Sequence, residues 1–291
     1  MGNAVYAGGV SIIVPVYNEE AGIGSLIERL LSEMGRTGMS FELLVVDDGS
    51  TDRTRERIDP YVEKIRILRH EENRGYGAAL KTGIHAARFP ITLIIDADGT
   101  YPTEEIPRLL DGLDERTEMV VGARTGPDVN VPLVRRPAKW LLKTLAEYLS
   151  ERKIPDLNSG LRAFRRETAL RYFHILPNRF SFTTTITLAF LSEGLSVRFV
   201  PINYGKRVGR SKIRSADALN FLTLIVRTIT YFNPLRIFLP ASLFMLFLTL
   251  ASVSYDIFTV ANLADASTIL FVGTFLTAAI GVLADLIVRR R

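Results

Sequence analysis

Residues 91–100 read Ile-Thr-Leu-Ile-Ile-Asp-Ala-Asp-Gly-Thr: five residues without a charge, two carboxylates within three positions, then a glycine. A short aliphatic and β-branched run closed by turn formers is the pattern of a strand covered on both faces. Such strands build parallel sheets, and open α/β sheets carry their ligands outside the strands' carboxyl ends. Asp96 and Asp98 therefore stand where chemistry is expected. Two carboxylates on one tight turn offer hard oxygen ligands to Mg²⁺ or Mn²⁺. A cation held there would neutralise a diphosphate and help it leave.

Outward from this stretch the same rhythm repeats over residues 10–124. Strands are predicted at Val10–Val16, Phe41–Val46, Ile65–Arg69, Ile91–Ile95 and Met119–Gly122. Helices are predicted between them at Ala21–Met34, Thr51–Asp59, Gly77–Ala87 and Thr103–Leu113. The expected fold class is α/β with a mostly parallel, Rossmann-like sheet. The first strand runs into Pro15-Val16-Tyr17-Asn18-Glu19-Glu20 and the second into Asp47-Asp48-Gly49-Ser50-Thr51-Asp52. The fifth runs into Gly122-Ala123-Arg124, and all these loops should converge on one edge of the sheet. Alone, Asp-Asp-Gly-Ser reads equally well as a turn followed by a helix cap.

Charge divides the chain. Residues 1–130 hold 14 Lys/Arg against 22 Asp/Glu, whereas residues 131–215 hold 17 against 5. Two different partners are implied. Cysteine is absent, which excludes disulfides and thiolate chemistry. The apolar run at Val10–Val16 is too short for a signal peptide, so the first two thirds of the chain are expected in the cytoplasm.

Residues 235–255 and 268–288 are each about 21 apolar residues, long enough to cross a bilayer. The intervening linker carries two acids, Asp256 and Asp265, and no base, while Arg289, Arg290 and Arg291 follow the second run. The positive-inside rule then places both outer ends in the cytoplasm, making a multi-pass cell-membrane protein with its first domain on the cytoplasmic side. Pro132–Ser150 sets Trp140, Leu141, Leu145 and Tyr148 at helical spacing beside Arg135, Arg136, Lys139 and Lys143, as suits an interfacial helix. Ala216–Phe232 reads as a second one. Nucleic acid fits the basic segment alone but not the hairpin that follows it; the lipid bilayer fits both.

The motifs in this order, over residues 10–214, resemble the family 2 glycosyltransferases with a GT-A fold, and within them the polyprenyl-phosphate and dolichyl-phosphate sugar transferases. The resemblance rests on Val14-Pro15-Val16-Tyr17-Asn18-Glu19, Val45-Val46-Asp47-Asp48-Gly49-Ser50, Asn73-Arg74-Gly75, Asp96-Ala97-Asp98, Asp156-Leu157-Asn158-Ser159-Gly160 and Arg207-Val208-Gly209-Arg210-Ser211-Lys212. It implies a cytosolic catalytic domain over 1–214, to which the apolar runs add an interfacial helix over 215–234 and a transmembrane hairpin over 235–291. By the same resemblance, Pro15, Tyr17, Glu19, Val46 and Asp48 would line the base and ribose pocket. Asp96 and Asp98 would flank the metal and diphosphate, with the Ala97 backbone between them. Arg124 would approach the sugar or diphosphate, and Arg135, Arg136 and Arg207 would grip the acceptor phosphate and the leaving group. Ser211 and Lys212 lie in a cationic loop that would close over the donor.

The implied reaction is inverting transfer of a hexose, from a donor of the UDP-glucose or GDP-mannose type, to a polyprenyl phosphate. A phosphate monoester is already anionic near neutral pH, so positioning and charge neutralisation should dominate. Asp156 is the candidate for orienting the nucleophile or accepting a residual proton; equally, it would cap the turn at Asn158-Ser159-Gly160. A processive polysaccharide synthase would carry Gln-x-x-Arg-Trp, which the single Trp140 does not match. A non-catalytic membrane subunit would have lost Asp96 and Asp98. A two-helix anchor is thin, and association of several chains would reinforce it.

Overall fold

The structure, a computed structural model, describes residues 8–125, 151–179, 181–205, 230–260 and 264–290, with 144, 147, 148, 223 and 226–228. Contacts divide the chain into two compact units, Met1–Phe221 and Leu222–Arg291. The interfacial helix expected over 132–150 falls almost wholly outside the described residues, and that expected over 216–232 is described only at 223, 226–228 and 230–232.

The first unit is built on β1 (Val10–Val16), α1 (Ile23–Thr37), β2 (Phe41–Asp47), α2 (Thr54–Ile58), β3 (Arg66–Arg69), α3 (Tyr76–Ala86), β4 (Ile91–Ile94), α4 (Ile106–Asp111) and β5 (Met119–Ala123). There follow β6 (Arg162–Arg165), α5 (Arg166–Arg171), α6 (Phe182–Ser192) and β7 (Val197–Pro201). One seven-stranded sheet runs in the order β3-β2-β1-β4-β6-β5-β7. Its pairings are parallel except those of β6, which is antiparallel to both β4 and β5.

Period-two alternation explains the two covered faces. Val10, Ile12, Val14 and Val16 of β1 pack with Leu43 and Val45 of β2 beneath α1 and α4. Ile13, Leu44 and Val46 point the other way, to Ala79, Leu80 and Ile84 of α3 and Phe182, Ile186 and Phe190 of α6. Helix α1 buries Ile23, Leu26, Ile27, Leu30 and Met34, the one-stripe spacing of an amphipathic helix, and stops at Gly38 in the left-handed region.

The five predicted strands form within a residue of their expected ends. The predicted helix Thr51–Asp59 shrinks to α2, because Asp52 and Thr54 are spent on turn contacts. The predicted helix Thr103–Leu113 begins as a 3₁₀ turn at Thr103–Glu105 and becomes α-helical only at Ile106.

The second unit is a helical hairpin of α7 (Leu235–Tyr255), a π-helical turn (Asp256–Val260) and α8 (Asp265–Arg289). Two segments, Leu235–Thr259 and Asp265–Val288, are long and apolar enough to cross a membrane. At 25 and 24 residues, each reaches roughly 36 Å against a bilayer core of about 30 Å. Phe244, Phe247, Phe271 and Phe275 stay exposed on the outside. The inner seam is polar and small instead: Thr249 meets Thr274 at 3.1 Å, Ser252 meets Ser267 at 2.7 Å, and Gly281 lies against Phe238.

Candidate active site

The sheet order makes β1 the switch point, with β2 on one side and β4 on the other. The loops after β1, β2 and β4 leave the same edge. Because β6 runs antiparallel, the turn that precedes it, Asp156–Gly160, enters at that edge too.

The β1 and β2 loops are stitched together. Asn18, at φ 52°, donates its backbone N–H to Ser50 Oγ at 3.0 Å and accepts from Thr51 N–H at 2.8 Å. Glu19 N–H donates to Thr54 Oγ1 at 2.8 Å. Asp47 is the turn cap: it accepts from Ser50 N–H at 2.9 Å and holds Arg55 Nε at 2.9 Å. Asp48 turns the other way, to His70 Nδ1 at 2.6 Å and the amides of Arg74 at 3.0 Å and Gly75 at 2.8 Å. Gly49, at φ 73°, makes room for this, since a β-carbon there would stand 2.5 Å from the Glu72 carbonyl carbon.

Of the residues expected to line the base pocket, Tyr17 and Glu19 are partly exposed and Pro15 is buried at the end of β1. Val46 is wholly buried, paired with Pro15 of β1 and Leu68 of β3, and its side chain packs against α3.

Around the acidic turn, Asp96 accepts from Tyr76 Oη at 2.7 Å, and Thr100 Oγ1 donates to Asp98 at 2.5 Å. Burial, with the neighbouring Asp98 charge, pushes the Asp96 carboxyl up to about 6, against the Tyr76 hydrogen bond and the fields of Arg124 and Arg162. Crowded carboxylates with a raised pKa are the donor set that a divalent cation relieves. Asp96, Asp98 and, through Asp98, Thr100 thus fit a hard cation. Among the described residues no third carboxylate or imidazole joins them. Water and the donor's phosphate oxygens would complete the shell, as Mg²⁺ usually requires.

Arg124 and Asp156 form a fork-on-fork pair, Nε to Oδ2 at 2.7 Å and Nη2 to Oδ1 at 2.9 Å. Asp156 also accepts the backbone N–H groups of Arg124 and Asn158, so it does cap the turn. Burial alone would raise its carboxyl, but the Arg124 contacts win and hold it below the usual carboxylate range. On its other side Arg124 lies 5.2 Å from the Tyr204 ring centroid. Tyr204 stands edge-on to Tyr101, whose hydroxyl accepts the Gly160 N–H at 2.6 Å. Gly205, next to Tyr204, donates its N–H to Thr100 O at 2.9 Å.

Sequence reading missed Arg162. This guanidinium is fully buried and donates to Ser159 O, Thr183 O and Thr187 Oγ1. Burial lowers its pKa to about 10. It also missed His70, Tyr76 and Tyr101, which look like core residues until the chain folds. Arg135, Arg136, Arg207, Ser211 and Lys212 lie outside the described residues.

Comparison with known proteins follows the same division. The family model of glycosyl transferase family 2 matches residues 11–173, and that of the GtrB C-terminal hairpin matches residues 233–289. Dolichyl-phosphate beta-glucosyltransferase of Dictyostelium discoideum is 30% identical, over 75% of this chain and 73% of its own length. Undecaprenyl-phosphate 4-deoxy-4-formamido-L-arabinose transferase of Edwardsiella ictaluri is 28% identical, over 78% and 69%. Glucosyl-3-phosphoglycerate synthase of Mycobacterium tuberculosis, solved with Mn²⁺, UDP and phosphoglyceric acid, is similar at a TM-score of 0.59 and 25% identity, covering 77% of this chain and 79% of that one. With more than half its length matched by the family model and a converging edge of carboxylates and arginines, this chain belongs to glycosyl transferase family 2 and is a glycosyltransferase.

Proposed function

We propose that the protein transfers a hexose from a nucleotide sugar to a polyprenyl phosphate at the cytoplasmic face of a membrane. One observation carries this reading: a family 2 catalytic unit and a GtrB-type hairpin share one chain. Relatives named for undecaprenyl-phosphate and dolichyl-phosphate acceptors support the lipid. The basic balance of residues 131–215 supports a phosphate-bearing partner near the bilayer. The acidic 256–265 linker and the terminal arginines support a cytoplasmic catalytic unit.

Asp96 and Asp98 would hold Mg²⁺ or Mn²⁺, which when bound neutralises the diphosphate that leaves. Pro15, Tyr17, Glu19, Val46 and Asp48 are assigned to the nucleoside. Arg124, locked in one direction by Asp156 and Tyr204, is assigned to the sugar or diphosphate. Arg135, Arg136 and Arg207 are assigned to the acceptor phosphate and leaving group, and Ser211 with Lys212 to the loop that covers them. An acceptor phosphate oxygen attacks the anomeric carbon, the bond to the nucleoside diphosphate breaks with its electron pair going to that group, and the configuration inverts. The acceptor is already ionised, so no strong base is needed. Asp156, with both oxygens occupied, is a positioning residue for Arg124 and through it for the nucleophile.

The test is direct. Purified protein in detergent receives UDP-glucose or GDP-mannose with a polyprenyl phosphate and Mg²⁺ or Mn²⁺. A lipid-linked sugar is expected from one donor, with its formation abolished in Asp98→Ala. No product from any nucleotide sugar, or full activity in Asp98→Ala, overturns the reading.

A further inference from the structure

The motifs give Tyr76 no role, yet its hydroxyl crosses from one loop to another. It is the first residue of α3, its ring packs with the core cluster of Leu80 and Phe182, and Oη reaches Asp96 Oδ1 at 2.7 Å. An ionised carboxylate only accepts, so the hydroxyl donates.

The two carboxylates of the acidic turn are held by different means. Asp98 is set within its own turn, where Oδ1 takes the Thr100 N–H at 3.2 Å and the Thr100 hydroxyl at 2.5 Å. Asp96 depends on a residue twenty positions away, and among the described residues Tyr76 is its one hydrogen-bond donor. Backbone closes its other flank: a β-carbon on Gly160 would stand 2.5 Å from Oδ1 and 2.0 Å from Oδ2. The carboxylate therefore cannot turn about its Cβ–Cγ bond without losing the hydroxyl or striking Gly160. Oδ1 is engaged, and Oδ2 is left for a ligand.

The donor is itself anchored. Ala78 N–H donates to Asn178 O at 2.9 Å, and a β-carbon on Gly77 would stand 2.2 Å from Pro177 O. The first turn of α3 thus sits directly on backbone, with no side chain between, and Tyr76 starts from a fixed point.

We infer that Tyr76 is the positioning residue that turns Asp96 to meet a divalent cation through Oδ2 alone. The inference rests on the assignment of Asp96 and Asp98 to the cation in the proposed function. A ligand that gives one oxygen leaves positions for water and diphosphate oxygens in a near-octahedral shell. Removing a hydrogen bond that orients a metal ligand typically weakens the metal by about 10- to 100-fold.

The experiment measures Mn²⁺ binding to the full-length protein in detergent, with UDP or with GDP, from the electron paramagnetic resonance signal of the free ion. Tyr76→Phe removes the hydroxyl and keeps the ring, and is expected to raise the Mn²⁺ dissociation constant about tenfold or more. Its turnover should be regained in large part as Mn²⁺ is raised, whereas a merely structural defect would lower turnover at every Mn²⁺ concentration. Wild-type Mn²⁺ affinity in Tyr76→Phe, or a loss of turnover that added Mn²⁺ does not recover, overturns the role of Tyr76 and leaves the proposed function standing. A wild-type protein that binds no Mn²⁺ with either nucleotide overturns the cation assignment and this inference together. Should Tyr76→Phe not fold, a ring-fluorinated tyrosine incorporated in place of Tyr76 keeps the hydroxyl. Its fluorine resonance should move in step with Mg²⁺ binding, and a resonance indifferent to Mg²⁺ overturns the inference.

Discussion

Gly160 lies so close to Asp96 that a β-carbon on it would stand 2.0 Å from the carboxylate Oδ2. The same residue gives its N–H to Tyr101, so the turn before β6 is pinned against the acidic loop after β4. The residue after Ser159 is thus dictated by a carboxylate more than sixty positions away. Gly160→Ala forces either the turn or Asp96 to move, at a cost on the order of 1–3 kcal/mol. Thermal unfolding should register that loss, and transfer activity should fall further than the stability change explains; wild-type turnover in this variant would contradict the contact.

The Arg124–Asp156 pair should behave as one unit. Arg124→Ala and Asp156→Asn are each expected to lower kcat by roughly a hundredfold, and the double variant to lose little beyond either single one. Additive losses would show that Asp156 acts apart from Arg124. The pair also predicts acid behaviour. The Asp156 carboxyl is depressed in the folded protein, so its contribution to stability is present above the ordinary Asp value of 3.8 and is lost as pH falls through the lower folded value. Acid unfolding followed by circular dichroism should therefore begin at higher pH in Arg124→Ala.

The sign reverses at Asp96. Its folded-state pKa of about 6 lies above the usual 3.8, so the stability it contributes is complete below 3.8 and disappears as pH rises through 6. A divalent cation competes for the same carboxylate. The rise in Tm on adding Mn²⁺ is expected to be small at about pH 5 and to grow by about pH 7, and Asp96→Asn should flatten both trends. A metal-induced shift independent of pH would argue that Asp96 is not a ligand.

Arg162 carries a buried positive charge beneath the same turn. Arg162→Met strands the carbonyl of Ser159, at a cost of about 1–3 kcal/mol, whereas Thr183 O keeps the Thr187 hydroxyl; a drop in Tm of several degrees is expected. Arg162→Lys restores the charge but not the fork, so it should recover only part of the loss.

The sequence alone determined a good deal. Continuous aliphatic runs such as Ile12–Val14 and Leu43–Val46, bounded by turn formers, carried the pattern of strands covered on both faces, and the acidic and basic segments and the two long apolar runs followed from composition. The resemblance located the donor loops, because each lies within a few residues of its strand. These features are local: periodicity, turn chemistry and charge are written in consecutive residues.

The tertiary structure decided what depends on long-range pairing. Strand β6 is four residues long and β7 is half-exposed, so neither stood out in sequence. Yet the antiparallel insertion of β6 is what brings Asp156 and Gly160 to the catalytic edge. No spacing rule joins Asp48 to His70, Tyr76 to Asp96 or Arg124 to Tyr204; sheet order does. Asp96-Ala97-Asp98 announced a candidate site in the sequence, and only folding supplied the Tyr76 hydroxyl and the close Gly160 backbone that fix Asp96, and the Arg124 and Arg162 charges that act on it.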